Sequence, residues 1–401
     1  MSRAGAGEMS SARAQARVNL AAMERNCVRL RSALGDGVAL CVVVKADGYG
    51  HGAAQSARAA LAGGASWLAV AGSQEARELR EADVGEVRVL VMGALNPGEL
   101  AEALAADADV VVWHERDVEA VAELGGGRVH IKFDSGMGRL GTRDPAEALR
   151  ALTAARETRG VELAGAMTHF ATADDLDDGG FFEQQLAAFA GWAERARAEQ
   201  PGLLLHAANS AATLRDPAAQ FDMVRCGIAV YGMDPFGQDP AARDLEPALE
   251  LSSYLAEVKP CAAGESAGYG RRFIAERDTH LGVLPIGYGD GWRRGLSNNA
   301  EVLIGGRRYP LVGTVSMDNI TVDLGSEPGT ERLRGERAIL IGVQGSERIT
   351  AEQVAQRLGT INYEVTCSLT PRVPRVYHRD DAAIEGNGAR TDIRWADAQS
   401  R

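Results

Sequence analysis

Lysine is almost absent from this 401-residue sequence, in which only Lys45, Lys132 and Lys259 are lysine among 43 basic residues. The other basic residues are arginine, whose guanidinium stays protonated in proteins. The three lysines were kept either because an amine must lose its proton and act as a nucleophile there, or through compositional bias alone. Composition favours neither interpretation, so the positions of the lysines have to decide.

Other absences exclude whole classes of protein. No apolar run approaches the roughly 20 residues that span a bilayer, and the N-terminus lacks the apolar core of a signal peptide, so we expect a cytoplasmic protein without a membrane partner. Five cysteines without CxxC spacing predict neither a disulfide framework nor a metal site. A net charge of −12 without a basic stripe argues against nucleic acid as a partner.

Residues 19–242 alternate between short apolar, β-branched runs and segments of helical period. The runs lie at 38–45, 66–71, 87–92, 108–113, 128–134, 161–169, 202–208 and 222–230. Their near-continuous apolarity is typical of strands that are buried on both faces. Eight such units predict a (β/α)8 TIM-type barrel of the α/β class, with its active site at the carboxyl ends of the strands. An open, doubly wound sheet is the alternative.

A second, mainly-β domain is predicted for residues 243–380, where strand patterns follow one another with little helix between them. We expect an N-terminal strand at 11–18 to join this domain. Residues 381–401 are polar and are predicted to form a loose tail.

Local signals define two elements of the second domain. Gly305 and Gly306 predict the turn of a β-hairpin. A single helix is predicted with Thr350 as N-cap, Gln353 three residues later and Gly359 as C-cap.

Lys45 ends the first predicted barrel strand and precedes a glycine-rich loop, AlaAspGlyTyrGlyHisGly. A lysine there is placed for Schiff-base chemistry with a carbonyl compound, and a salt-bridging lysine at a strand end is the plainer alternative. Further polar residues follow later strands, and each could instead be a satisfied core polar group. They are Lys132, Asp134, His169, His206, Asn209, Ser210 and Arg225. Their convergence on one rim favours an active site.

The motif ValValValLysAlaAspGlyTyrGlyHisGly at 42–52 resembles the pyridoxal-phosphate signature of the alanine racemases, which are enzymes of fold type III. The resemblance continues in order through nearly the whole chain and ends before the polar tail. Its further motifs lie at 133–141, 168–174, 209–214, 224–232, 269–270, 285–292, 315–319 and 363–367. This family has a barrel followed by a β domain, as the apolar pattern predicts.

The resemblance implies that Lys45 holds pyridoxal phosphate as an aldimine and serves as one acid–base group once the substrate amine has freed it. Tyr269 would be the other group, reaching in from the second subunit of a head-to-tail homodimer. Racemisation needs two such groups because a proton leaves one face of Cα and another returns to the opposite face.

The same resemblance implies roles for the residues around the cofactor. Arg225, backed by His206, would face the pyridine nitrogen, and Arg139 with the amide of Met317 would bind the substrate carboxylate. The cofactor, and its phosphate in particular, would contact Tyr49, Asn209, Ser210, Gly227, Ile228 and Tyr363. A carbamylated Lys132 would orient Arg139, and His169, Tyr288 and Asp318 would support the site.

The function implied is an isomerase that interconverts L-alanine and D-alanine and supplies D-alanine for peptidoglycan. A broad-specificity amino-acid racemase and a decarboxylase of related fold are alternatives. The decarboxylases usually place an acidic group at the ring nitrogen, where Arg225 would stand here. A non-catalytic pyridoxal-phosphate carrier is also possible, but such carriers resemble the barrel alone.

Overall fold

The computed structural model describes residues 12–383 of the chain. Its first strand, β1 (Ala14–Asn19), precedes a closed barrel of eight parallel strands in chain order. The barrel strands are β2 (Ala39–Val43), β3 (Trp67–Val70), β4 (Arg88–Val91), β5 (Asp109–Val112), β6 (Gly127–Lys132), β7 (Val161–Met167), β8 (Leu204–His206) and β9 (Met223–Cys226). β2 pairs in parallel with both β3 and β9, which closes the sheet.

The predicted barrel is therefore confirmed, and each of the eight apolar runs coincides with one strand. Every strand is shorter than its run, because the chain leaves the sheet before the apolar residues end. After β9, for example, Ile228–Tyr231 form a buried 3-10 turn.

Helices surround the barrel and connect its strands. They are α1 (Leu20–Ser32), α2 (Lys45–Tyr49), α3 (Ala53–Ala62), α4 (Ser73–Glu81), α5 (Pro97–Ala105), α6 (Glu115–Glu123), α7 (Pro145–Glu157), α8 (Phe181–Glu199) and α9 (Ser210–Arg215). Their starts follow local chemistry: Asn96 accepts a hydrogen bond from the amide of Glu99, and Pro97 occupies the first turn of α5. The long helix α8 buries Trp192, whose ring stacks on Phe133 with centroids 5.4 Å apart.

The regular elements after the barrel are mostly strands. These are β10 (Leu249–Tyr254), β11 (Glu257–Cys261), β12 (Ser266–Ala267), β13 (Phe273–Ile274), β14 (Thr279–Leu284), β15 (Glu301–Ile304), β16 (Arg307–Pro310), β17 (Ile320–Gly325), β18 (Arg337–Gln344), β19 (Glu347–Ile349), β20 (Arg375–Arg379) and β21 (Ala382–Ala383). Two helices, α10 (Ala351–Leu358) and α11 (Asn362–Cys367), interrupt them. The mainly-β second part of the fold is thus confirmed.

The main sheet of this part has the order β16-β15-β18-β10-β1-β20-β21, with β19 beside β18. β1 lies inside it, antiparallel to β10 and parallel to β20, although it precedes the barrel in the sequence. Alternate residues Ala14, Ala16 and Val18 are buried, as expected when one face of a strand packs on a core. A smaller sheet contains β11, β14 and β17.

Two local predictions for this part are confirmed, and the expectation of a single helix is wrong because α11 is a second one. Ile304 pairs with Arg307 across the predicted hairpin turn. Thr350 accepts a hydrogen bond from the amide of Gln353, and Gly359 ends α10 in the left-handed conformation. Helix α11 was not predicted. The pairing of β21 with β20 extends the sheet past residue 380, and residues 384–401 of the predicted tail lie outside the described residues. Within residues 12–383 no helix is long and apolar enough to cross a membrane.

Candidate active site

Lys45 begins α2 at the carboxyl end of β2, and this short segment is a left-handed turn rather than a regular α-helix. Ala46, Asp47 and Gly48 have φ values of 52°, 51° and 60°, which only glycine adopts without cost. Two carboxylates hold the turn: Glu75 accepts a hydrogen bond from the amide of Ala46 (2.7 Å), and Asp47 accepts one from Ala53 (2.9 Å). A strained segment that its surroundings hold in place is typical of a functional site.

The Lys45 amine has no hydrogen-bond or ion-pair partner among the described residues. Burial lowers its pKa, and the neighbouring positive charge of Arg139 lowers it further. A lowered pKa increases the fraction of neutral amine, which is the nucleophilic form.

Next to this lysine, the loop after β9 approaches the turn closely. A Cβ built on Gly227 would lie 2.4 Å from the hydroxyl of Tyr49, so only glycine fits between the two. The amides of Gly227 (3.0 Å) and Ala229 (3.4 Å) donate to the hydroxyl of Ser210, at the start of α9. Asn209 caps that helix by accepting a hydrogen bond from the amide of Ala212 (2.9 Å).

Tyrosine side chains form the wall beside these amides. The ring of Tyr49 lies 5.0 Å from that of Tyr231 and 5.9 Å from that of Tyr363, measured between centroids. Within residues 12–383 the hydroxyls of Tyr49 and Tyr363 have no hydrogen-bond partner. Burial raises the pKa of both hydroxyls, so they are neutral donors. Together with Ser210 and the nearby backbone, they form a cluster of neutral donors suited to an anion.

Arg225 is buried on β9 and is held from several sides. Its Nη1 donates to Nδ1 of His206 (2.8 Å), and its Nη2 donates to the carbonyls of Thr168 (2.8 Å) and Ala207 (2.9 Å). Nδ1 of His169 lies 3.2 Å from Nη2. Burial lowers the pKa of Arg225 to about 10, which leaves it charged at neutral pH. No acceptor in the described part of the chain takes the Nε–H of Arg225.

Lys132 and Arg139 add two more positive charges at this rim. Lys132 is 4% exposed and, like the exposed Arg139, has no hydrogen-bond or ion-pair partner in the described chain. Burial lowers the pKa of Lys132 to about 8, assisted by the charges of Arg225 and Arg139. The loop that carries Arg139 is fixed by Asp134, which accepts hydrogen bonds from the amides of Gly136 and Gly138.

The remaining predicted residues lie in the β-rich part and are exposed. Tyr269 is 74% exposed, Met317 51% and Tyr288 42%. The amide of Tyr288 donates to the carbonyl of Ser316 (3.0 Å), which joins the loops of Tyr288 and Met317. Asp318 accepts a hydrogen bond from Arg372 (2.6 Å). Tyr269, Tyr288 and Met317 are thus large apolar side chains exposed to solvent, and such side chains mark interaction sites where they lie together.

The predicted residues thus fall into two groups in a single chain. The first surrounds the barrel mouth and contains Lys45, Tyr49, Lys132, Arg139, His169, His206, Asn209, Ser210, Arg225, Gly227, Ile228 and Tyr363. The second contains Tyr269, Tyr288, Met317 and Asp318. No hydrogen bond, ion pair or ring contact joins the two groups within residues 12–383.

Sequence reasoning missed two buried residues behind Arg225. His130 Nδ1 lies 2.8 Å from His206 Nε2, and His130 Nε2 lies 2.9 Å from the carboxylate of Asp109. The available signal was a histidine and an aspartate inside predicted barrel strands, because buried polar groups are rarely left without a partner.

The barrel mouth fits pyridoxal phosphate by the chemistry of its free groups. An unpartnered amine can attach an aldehyde, and neutral donors beside Gly227 can hold a phosphate dianion. The free N–H of Arg225 can donate to a pyridine nitrogen. Unpaired Arg139 can bind a carboxylate in two-point fashion.

Comparisons with known proteins show the family of this chain. The family model for the alanine racemase N-terminal domain matches residues 18–235, and that for the C-terminal domain matches residues 248–377. The alanine racemase of Geobacillus stearothermophilus is 40% identical over 383 residues, covering 93% of this chain and 96% of that protein. Alanine racemase 1 of Bacillus subtilis (strain 168) is 38% identical, covering 92% and 94%.

Solved structures give the same result. Alanine racemase from Streptomyces coelicolor A3(2) superposes with a TM-score of 0.84 at 39% identity, covering 91% of this chain and 97% of that one. The Bacillus anthracis alanine racemase with bound L-Ala-P gives a TM-score of 0.85 at 35% identity, covering 94% and 98%. Because both domains match over nearly their whole length, this chain belongs to the alanine racemase family of pyridoxal-phosphate-dependent isomerases.

Proposed function

We propose that this chain interconverts L-alanine and D-alanine with pyridoxal phosphate as its cofactor, and that it supplies D-alanine for peptidoglycan. In this proposal residues 19–242 form the barrel that binds the cofactor, and residues 243–380, with the N-terminal strand, carry Tyr269 and add Tyr363 to the cofactor site. The observation that carries the proposal is the unpartnered amine of Lys45, whose pKa is lowered by burial and by Arg139. Such an amine can both attach the cofactor and exchange a proton with the substrate.

Bound pyridoxal phosphate supplies an electron sink that makes the Cα proton of an attached amino acid acidic. The chain supplies the groups that hold and move that proton. Lys45 Nζ exchanges it on one face of Cα, and Tyr269 of the partner subunit exchanges it on the opposite face. A pair of groups is required because a single base would return the proton mainly to the face it left.

The homodimer is part of the proposal. Tyr269, Met317 and Tyr288 are exposed, and within residues 12–383 they form no hydrogen bond or ring contact with the barrel-mouth group of their own chain. Burial of these apolar side chains against the barrel of a second copy would complete both sites at once, because a twofold axis repeats every contact on both subunits.

Neutral groups hold the phosphate in this proposal: Tyr49, Ser210, Tyr363 and the amides of Gly227 and Ile228, with Asn209 fixing the start of α9. Arg225, held by His206, donates to the pyridine nitrogen. Because arginine does not give up its proton, a pyridine nitrogen that faces Arg225 would stay unprotonated, and the cofactor would supply only weak electron withdrawal. The chemistry at this site would then favour prompt return of the proton by Lys45 or Tyr269.

Arg139 and the Met317 amide of the partner subunit bind the substrate carboxylate. Lys132 orients Arg139, and as a carbamate it would become the anion that a guanidinium prefers. His169, Tyr288 and Asp318 support these groups.

The first experiment is incubation of the holoenzyme with L-alanine in heavy water, with both deuterium at Cα and product chirality followed over time. We expect deuterium entry together with D-alanine. Deuterium entry with retained L configuration would contradict the role of Tyr269. No exchange at all would contradict alanine as substrate. Rescue of a D-alanine auxotroph tests the biosynthetic role.

Two lysine variants provide a matched comparison. Lys45→Ala should abolish the visible absorption of the covalently bound cofactor and racemisation. Lys259→Ala removes an exposed lysine on β11, away from the barrel mouth, and should change neither. An unchanged spectrum in Lys45→Ala would refute the attachment site.

Mixing two inactive variants tests whether the sites are shared. Each Lys45→Ala/Tyr269→Phe heterodimer would contain one intact site and one doubly substituted site. Random re-association should therefore restore about a quarter of wild-type activity. No recovery, with heterodimers demonstrated by mass spectrometry, would mean that both bases belong to one subunit.

A further inference from the structure

A continuous chain of buried hydrogen bonds crosses the barrel interior from Arg225 to Asp109. Arg225 Nη1 is 2.8 Å from His206 Nδ1, and His206 Nε2 is 2.8 Å from His130 Nδ1. His130 Nε2 is 2.9 Å from the Asp109 carboxylate. Both histidines and Asp109 are 0% exposed, so solvent does not enter this chain.

The contacts permit one arrangement of protons. A guanidinium has only donors, so His206 Nδ1 must accept, and the proton of His206 is on Nε2. That proton is donated to His130 Nδ1, which places the His130 proton on Nε2. His130 then donates to the carboxylate of Asp109, which only accepts.

Both histidines are neutral in this arrangement. If His130 carried a second proton on Nδ1, His206 would face a donor at each nitrogen and would have to lose its own proton. Burial lowers the pKa of both imidazoles, in agreement with the neutral forms. The direction of donation is therefore set at the two ends of the chain, by Arg225 and by Asp109.

Asp109 is itself held rigidly. Arg128 Nε donates to its Oδ1 at 2.7 Å, and Arg88 forms a second ion pair with it. Arg88 is the first residue of β4 and Arg128 the second of β6; both are partly exposed, whereas the side chain of Asp109 is completely buried. The carboxylate thus keeps one orientation toward His130.

We propose that Asp109 is a positioning residue for the cofactor site: through His130 and His206 it fixes the hydrogen-bond direction that leaves Arg225 free to donate to the cofactor ring. The role in catalysis rests on the proposed function, whereas the proton positions do not. If Asp109 is replaced by an apolar residue, the buried Nε2–H of His130 loses its acceptor. If the proton of His130 moved to Nδ1, it would meet the N–H on Nε2 of His206, so His206 would have to move its own proton to Nδ1. His206 would then present an N–H to Arg225, which would displace the guanidinium.

Two variants of Asp109 separate its acceptor role from its charge. Asp109→Asn and Asp109→Leu both remove the ion pairs with Arg88 and Arg128, but Asn retains an oxygen that can accept from His130. Arg88→Gln is the control for disturbance at this end of the barrel, because it leaves the carboxylate facing His130.

The test is a neutron structure of the holoenzyme exchanged into heavy water, with steady-state kinetics on the variants. We expect deuterons on Nε2 and none on Nδ1 of both His130 and His206. Asp109→Leu should move the deuteron of at least one histidine and lower kcat by roughly 10- to 100-fold, as when an orienting partner is lost. KM for alanine should not change. Asp109→Asn and Arg88→Gln should retain the deuteron positions and most of kcat.

A deuteron on Nδ1 of His206 in the wild-type enzyme would overturn the proton assignment. Equal loss of kcat in Asp109→Leu, Asp109→Asn and Arg88→Gln would overturn the positioning role, since charge or barrel stability would then explain the effect. Failure of the proposed function is distinguishable, because a wild-type enzyme without racemisation would still yield deuteron positions.

Discussion

Replacing Ala46 by glycine should stabilise the protein, although alanine-to-glycine substitutions usually destabilise. Ala46 has φ of 52° and ψ of 51°, in the left-handed region. This conformation costs an L-residue roughly 1–2 kcal/mol, and glycine adopts it freely. The greater freedom of glycine in the unfolded chain offsets roughly 0.5–1 kcal/mol of that gain. The net expectation is an increase of about 0.5–1 kcal/mol in the free energy of unfolding.

Little else changes at this site. The side chain of Ala46 is exposed, so no packing is lost, and the amide that donates to Glu75 is retained. The matched control is Ala188→Gly, at an exposed position inside α8. There the same substitution should destabilise by about 1 kcal/mol, because helix interiors disfavour glycine.

The assay is urea unfolding of both variants and the wild type at one protein concentration and one cofactor concentration, because subunit association and bound cofactor both shift apparent stability. Opposite signs for the two variants would support the strain at Ala46. If Ala46→Gly destabilised the protein as much as Ala188→Gly, the reasoning about the turn would be refuted.

Three further substitutions have defined outcomes. Burial lowers the pKa of Lys132 to about 8 from 10.5, so cofactor-free protein in CO2-free buffer should gain stability as pH rises through that interval. Lys132→Met should abolish this pH dependence, which amounts to about 3 kcal/mol in the free energy of unfolding by urea. Parallel pH profiles of the variant and the wild type would contradict the lowered pKa of Lys132. Gly227→Ala should weaken pyridoxal-phosphate binding roughly tenfold, because the new Cβ would lie 2.4 Å from the Tyr49 hydroxyl. A fluorescence titration measures this affinity, and an unchanged value would contradict the steric argument. Thr350→Ala should cost about 1 kcal/mol of unfolding free energy through loss of the α10 cap, whereas Thr350→Ser should retain it.

Much of the fold could be predicted because its signals are local. Strands buried on both faces must be apolar along their length, so the eight barrel strands are visible as runs. Thr350, Gln353 and Gly359 define α10 by capping alone. Helix α11 escaped prediction because six residues are too few to establish a helical period. The position of β1 also depends on distant partners, since it pairs with strands that begin at Leu249 and Arg375.

The residues of the site could be named from their motifs, but the contacts among them could not. The left-handed turn after Lys45 contains alanine and aspartate, which do not prefer that conformation; carboxylates of Glu75 and Asp47 hold it in place. The chain of hydrogen bonds behind Arg225 joins residues 109, 130, 206 and 225, which only barrel closure brings together.

The sequence by itself determined the order of the elements, the barrel strands and the chemical identity of the groups at the barrel mouth, because these depend on periodicity, capping and residue type. Tertiary structure alone decided which groups lack partners, which pKa values are lowered, and how Asp109 reaches Arg225. The physical reason is that burial and hydrogen-bond direction depend on neighbours distant in the chain, and those neighbours are fixed only when the barrel closes.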